Sequence, residues 1–152
     1  MTKTLRVMVI VTLMIALSTG IAAAATVGGT RGDDDLNGTK AKDGLKGLGG
    51  DDFIGGRGGD DVLKGNGGRD LISGGGGNDR IIGGSGDDAS PYVFAGLSGG
   101  AGNDHIASTS GESYDEPNST DKIFCGTGKD TVYADRADSI ANDCEKVFYP
   151  ND

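Results

Sequence analysis

A nine-residue period constrains this chain more than any other feature. From Gly29 the sequence reads GTRGDDDLN, GTKAKDGLK, GLGGDDFIG, GRGGDDVLK, GNGGRDLIS, GGGGNDRII and GGSGDDASP, consecutive units with Gly first and Asp sixth. The sixth residues are Asp34, Asp43, Asp52, Asp61, Asp70, Asp79 and Asp88. All but the last unit carry an aliphatic residue at position eight: Leu36, Leu45, Ile54, Leu63, Ile72 and Ile81. A further unit, GGAGNDHIA, runs from Gly99 to Ala107 behind a short insertion and carries Asp104. Two residue classes held in phase over about 60 positions mark a repeat architecture.

Each part of the unit has a physical role. Glycines at positions one, two and four allow φ > 0 and a tight turn. Positions seven to nine, such as Val62-Leu63-Lys64, suit a short strand that sends one side chain inward. Nine residues then make one turn and one strand, and two units make a flattened coil. Stacked coils bury a thin column of Leu and Ile. Stacking also aligns Asp34, Asp52, Asp70 and Asp88 on one edge and Asp43, Asp61 and Asp79 on the other. Coils in a parallel sheet lie roughly 4.8 Å apart. Carboxylates at that spacing repel by about 3 kcal/mol at a surface-like dielectric. A divalent cation between successive turns converts that repulsion into attraction. Ca²⁺ suits such a place, because it accepts roughly six to eight oxygens in adaptable geometry, whereas Mg²⁺ is more rigid.

The unit GGxGxDxUx, with U a large aliphatic residue, resembles the repeat of the haemolysin-type calcium-binding (RTX) family across residues 29–91. The resemblance implies an all-β fold, a parallel β-roll with Ca²⁺ between turns of consecutive coils. It implies ligands from position-six Asp side chains and turn carbonyls. The adjacent pairs are Asp34/Asp52, Asp52/Asp70, Asp70/Asp88, Asp43/Asp61 and Asp61/Asp79, and Asp104 joins them as a candidate ligand. Ala41 and its flanking lysines weaken the sites that use Asp43, and Ser90-Pro91 predicts a break in the roll near 89–98. The chain looks most like small exported bacterial calcium-binding repeat proteins.

The flanks read differently. Lys3 and Arg6 precede an apolar run from Val7, and Ala22-Ala23-Ala24-Ala25 offers A-x-A cleavage sites. That order predicts a secretory signal peptide over residues 1–25, with an extracellular mature chain. The run is too short and too interrupted by Thr12, Ser18, Thr19 and Gly20 to predict a membrane span. Residues 26–107 form the expected roll, 108–120 (STSGESYDEPNST) a polar loop, and 121–152 a cap on the end of the roll. Asp121/Ile123 and Asp130/Val132 keep a weak trace of the period. An exported chain with two cysteines most simply pairs them, so Cys125 and Cys144 are expected to close the cap.

Composition narrows the function. A net charge of −9 argues against nucleic acid or an anionic membrane as partner. His105 is the only histidine, which excludes a HExxH zinc protease, and it falls at variable position seven, where a solvated side chain is expected. Asp33-x-Asp35-x-Asn37-Gly38 opens like an EF-hand loop, but position twelve is Gly44 in place of Glu. Arg31-Gly32-Asp33 follows from the repeat itself. The strict period of the aspartates fits structural ligands better than catalytic carboxylates, so no enzyme is expected. Two readings follow: an extracellular calcium-binding protein, or a calcium-dependent adhesin that displays the roll to a cell-surface or matrix partner.

Overall fold

The computed structural model describes residues 23–89, 96–108 and 120–149. The signal peptide expected at the N-terminus lies almost wholly outside them, as do most of the polar loop and residues 90–95. The described residues contain strands only. These are β1 (Thr26–Gly28), β2 (Asp35–Asn37), β3 (Gly44–Lys46), β4 (Phe53–Gly58), β5 (Val62–Gly67), β6 (Leu71–Gly76) and β7 (Arg80–Ser85). They continue as β8 (Leu97–Ala101), β9 (His105–Ala107), β10 (Lys122–Thr127), β11 (Thr131–Tyr133), β12 (Ser139–Ile140) and β13 (Lys146–Phe148).

Odd strands form one sheet in the order β1-β3-β5-β7-β9-β11-β13, and even strands form a second in the order β2-β4-β6-β8-β10-β12. Every pairing is parallel. Each coil therefore places one strand in each sheet and rises by one strand. The position-eight residues stack on themselves: Leu45, Leu63, Ile81, Ile106 and Val132 pair in one sheet. Leu36, Ile54, Ile72, Leu97 and Ile123 pair in the other. All of them are buried, and together they are the core.

That core is thin. One buried aliphatic side chain contributes about 2–3 kcal/mol, whereas ordering backbone costs about 1 kcal/mol or more per residue. A nine-residue unit with one such side chain needs further support, and the sheet hydrogen bonds supply only part of it.

Two features differ from the sequence reading. The insertion after Asp88 does not end the roll: Leu97 takes the place opposite Ile72, and β8 and β9 continue both sheets. The C-terminal segment is likewise built from further coils, since β10 pairs with β8 and β11 with β9. Both insertions fall between strands, and the parallel ladders run on across them. Cys125 and Cys144 are joined by a disulfide.

Candidate metal centre

The turns place the aspartates in two columns. In the first column, the N–H of Asp34 donates to Asp52 Oδ1 (2.9 Å), that of Asp52 to Asp70 Oδ1 (3.0 Å), and that of Asp70 to Asp88 Oδ1 (2.9 Å). In the second, Asp43 N–H donates to Asp61 Oδ1 (2.8 Å), Asp61 to Asp79 (2.9 Å) and Asp79 to Asp104 (2.8 Å). Each carboxylate thus hangs from the backbone of the coil before it. All eight of these side chains are buried.

The columns run on past the recognisable repeats. Asp88 N–H donates to Asp121 Oδ1 (2.7 Å) and Asp104 N–H to Asp130 Oδ1 (2.8 Å). Asp121 and Asp130 are buried like the others. The sequence showed only a weak trace of the period at these two, because the glycines around them are sparse, and did not mark them as ligands. A second, exposed ladder forms at position five, where Asp51 N–H donates to Asp33 Oδ1 and Asn103 N–H to Asn78 Oδ1.

Most of these carboxylates keep one oxygen without a partner. Among the described residues, Oδ2 of Asp52, Asp61, Asp70, Asp79, Asp88, Asp104 and Asp130, together with Oδ1 of Asp34, is buried with no hydrogen-bond partner. Burying a charged oxygen without a partner is strongly unfavourable. For Asp52, Asp61, Asp70, Asp79, Asp88 and Asp104 the bare Oδ2 lies close to a main-chain carbonyl oxygen of the next coil. A Cβ added at Gly56 would collide with Asp61 Oδ2 and also sit 2.5 Å from the carbonyl oxygen of Gly74 in the next coil. The same pair of oxygens, from the unit's own Asp and the next coil, meets a Cβ at Gly47, Gly65, Gly74, Gly83 and Gly99.

This corrects one role given to the glycines. Position one needs Gly because a carboxylate and a carbonyl crowd it, and its φ is not positive. Positive φ falls on positions two and four, as at Gly75 (107°) and Gly77 (118°). Leu48, Arg57 and Asn66 take the strained position-two conformation without being glycine.

Without a cation, burial raises the carboxyl pKa values. Asp52 is pushed to about 7, with the charges of Asp70 and Asp34 adding to the effect of burial. Asp70 and Asp79 rise to about 6, Asp121 to about 7 and Asp88 to about 8, in each case chiefly through burial. Hydrogen bonds from the preceding coil oppose the rise without cancelling it. The donor set is all oxygen, carboxylate and carbonyl, from Gly-rich turns. That chemistry fits a hard divalent cation of the size of Ca²⁺ and not a soft metal.

The first coil differs. Its position-two residues are Thr30 and Thr39, whose N–H groups donate to Oδ2 of Asp34 and Asp43. Asp43 therefore has donors on both oxygens, the other coming from Ala25 N–H. His105 is exposed on β9. Asp35 and Asn37 lie on β2, so the EF-hand-like motif is part of a coil.

Comparison with protein-family models matches the RTX calcium-binding nonapeptide repeat at residues 28–63, 55–89 and 97–113. Comparison with curated proteins and with solved structures finds no match. With a nine-residue period, two parallel sheets and matched repeats over half its length, the chain belongs to the RTX calcium-binding nonapeptide-repeat family.

Proposed function

We propose that this is an exported protein whose coils fold around Ca²⁺ held between successive turns. Asp34, Asp52, Asp70 and Asp88 supply ligands on one edge and Asp61, Asp79 and Asp104 on the other, with Asp43 the weakest ligand because both its oxygens already accept hydrogen bonds. Carbonyl oxygens of the position-one residues complete the sites, and Asp121 and Asp130 extend the two columns. The observation that carries this reading is the row of buried carboxylate oxygens without partners. Calcium supplies the charge that these oxygens need, and binding free energy then becomes folding free energy.

Export is supported by the order of charged, apolar and small residues before Thr26 and by the Cys125–Cys144 disulfide, which suits an oxidising compartment. Extracellular calcium is abundant, so sites of about 10⁻⁴ to 10⁻³ M affinity would fill there and stay empty in a cytoplasm. The chain would emerge unfolded and close outside the cell. RTX repeats act structurally, and the proposed chemistry is ligation alone.

Calorimetric titration of the mature chain tests the proposal. Several Ca²⁺ ions should bind per chain, and Mg²⁺ at equal concentration should give much less heat. Asp61→Ala should remove more binding than Asp34→Ala, because Asp61 has a carboxylate neighbour on both sides and Asp34 ends its column. No calcium heat, or two variants indistinguishable from the parent, overturns the ligand assignment.

A further inference from the structure

The N-terminal end of the second Asp column is built by a residue from the expected cleavage region. Thr26 pairs with Gly44 and Val27 with Leu45. This register sets Ala25 against Asp43, where each later coil on that edge carries Asp. Ala25 is 8% exposed. Its N–H donates to Asp43 Oδ1 (2.6 Å), and its carbonyl accepts from Gly44 N–H (2.8 Å). Asp43 makes the same two contacts with the coil that follows, to Asp61 Oδ1 (2.8 Å) and from Val62 N–H (2.9 Å). Ala25 is thus a position-six residue with a methyl group in place of the carboxylate.

Two A-x-A sequences overlap here. Ala22-Ala23-Ala24 directs cleavage before Ala25, and Ala23-Ala24-Ala25 directs it before Thr26. The later cut would strip Asp43 Oδ1 of a backbone donor and Gly44 N–H of its acceptor. The earlier cut keeps both.

We infer that the precursor is cut between Ala24 and Ala25, and that the new α-ammonium of Ala25 ion-pairs with the buried Asp43 carboxylate as a built-in cation. The inference rests on the export reading above. In the cut, water adds across the Ala24–Ala25 peptide bond on a signal peptidase. Ala24 leaves with the carboxylate, and the Ala25 nitrogen becomes –NH₃⁺. A charged donor strengthens a hydrogen bond to carboxylate roughly twofold over a neutral one. The column then begins with a positive charge, where all its later members are anions. Because the Ala25 nitrogen is buried and bonded in the closed roll, the cut precedes closure of the first coil.

The test has two arms. Intact-mass and N-terminal analysis of the product secreted by a host carrying the full chain should give Ala-Thr-Val-Gly. A product that starts at Thr26, or an uncut one, overturns the inference. For the second arm, chains that start at Ala25 or at Thr26 are released from a fusion partner, with Asp43 intact or as Asp43→Asn. In saturating calcium, loss of Ala25 should lower the melting temperature by about 4 °C with Asp43 intact, and by much less in Asp43→Asn. A chain with Gly-Ser placed before Ala25 keeps the N–H but not the charge, and it should melt between the two parental lengths. Equal losses in both backgrounds, or no effect of the Gly-Ser extension, overturn the pairing. Calcium titration of the same chains reads the ligand assignment separately. Chains that fold with calcium but show no coupling between Ala25 and Asp43 leave that assignment standing while this inference fails.

Discussion

The coils between Gly47 and Ala107 and those between Asp121 and Phe148 share two sheets and two Asp columns, yet they close their turns by different means. In the first region, position one is Gly, and each carboxylate keeps an oxygen without a partner. In the second, Cys125 and Ala134 stand in the corresponding slots and are buried, and Cys125 is tied to Cys144. The last turns also end the columns with their own side chains. Asp138 Oδ1 accepts from Asp121 N–H (3.0 Å), Glu145 Oε2 from Asp130 N–H (2.8 Å), and Asp143 Oδ2 from Gly126 N–H (3.0 Å). Tyr133 and Phe148 stack with ring centroids 5.2 Å apart, and Lys146 Nζ lies 4.8 Å from the Phe148 ring. From Asp52 to Asp104 the repeat creates sites by leaving Oδ2 bare in coil after coil, and Asp130 Oδ2 is the last bare oxygen of the second column. The final coils must stop that pattern, and they do so with a covalent link and aromatic contacts.

Acidification should blur this contrast most. The raised pKa values mean that the folded roll without metal holds protons that the unfolded chain has lost. Its stability is therefore present at low pH and falls as pH rises from about 4 through the window of about 6 to 8 set by Asp70, Asp79, Asp52 and Asp88. Metal-free protein should regain β structure near pH 5 and lose it by pH 8, as followed by circular dichroism. With calcium present the trend should reverse, since protons compete with the ion. A metal-free chain indifferent to pH over this range would remove the carboxylate columns as the source of instability.

Reducing Cys125–Cys144 sharpens the comparison from the other end. In saturating calcium it should cost about 3 kcal/mol by chain entropy. Hydrogen exchange should rise first in β10 to β13 and least in β4 to β7. Uniform loss of protection would mean that the two regions are not supported separately.

A smaller effect separates two glycines of the repeat region. Gly56→Ala drives a methyl into the Asp61 carboxylate and the Gly74 carbonyl, and it should destabilise by about 1–3 kcal/mol. Gly76→Ala meets nothing within 4 Å and should be neutral or stabilising by about 0.5 kcal/mol. Denaturant midpoints in calcium read both values.

Much of the site was legible because its period is local: Asp six residues into each unit and an aliphatic residue two later define both columns and the core. The limits came from where the signature and the fold part. Gly marks turn chemistry, so the family match stops at residue 113 while one sheet continues to Ile140 and the other to Phe148. Leu97 was hidden because it arrives behind an insertion that shifts the phase, and only the pairing with Ile72 reveals it. The role of position one was misread for a similar reason. A sequence shows that Gly is required there, but not whether φ or crowding requires it. Ala25 could not be placed on the Asp column at all, since a methyl group carries no trace of the repeat.

The central claim is that calcium, and not the Leu/Ile column, closes the coils. Far-ultraviolet circular dichroism of the mature, oxidised chain at pH 8 tests it most directly, starting metal-free and titrating with CaCl₂. The predicted result is a largely disordered spectrum without calcium and a cooperative rise of β signal at about 10⁻⁴ to 10⁻³ M, not reproduced by Mg²⁺. A full β spectrum in the metal-free chain, unchanged on adding calcium, would contradict it.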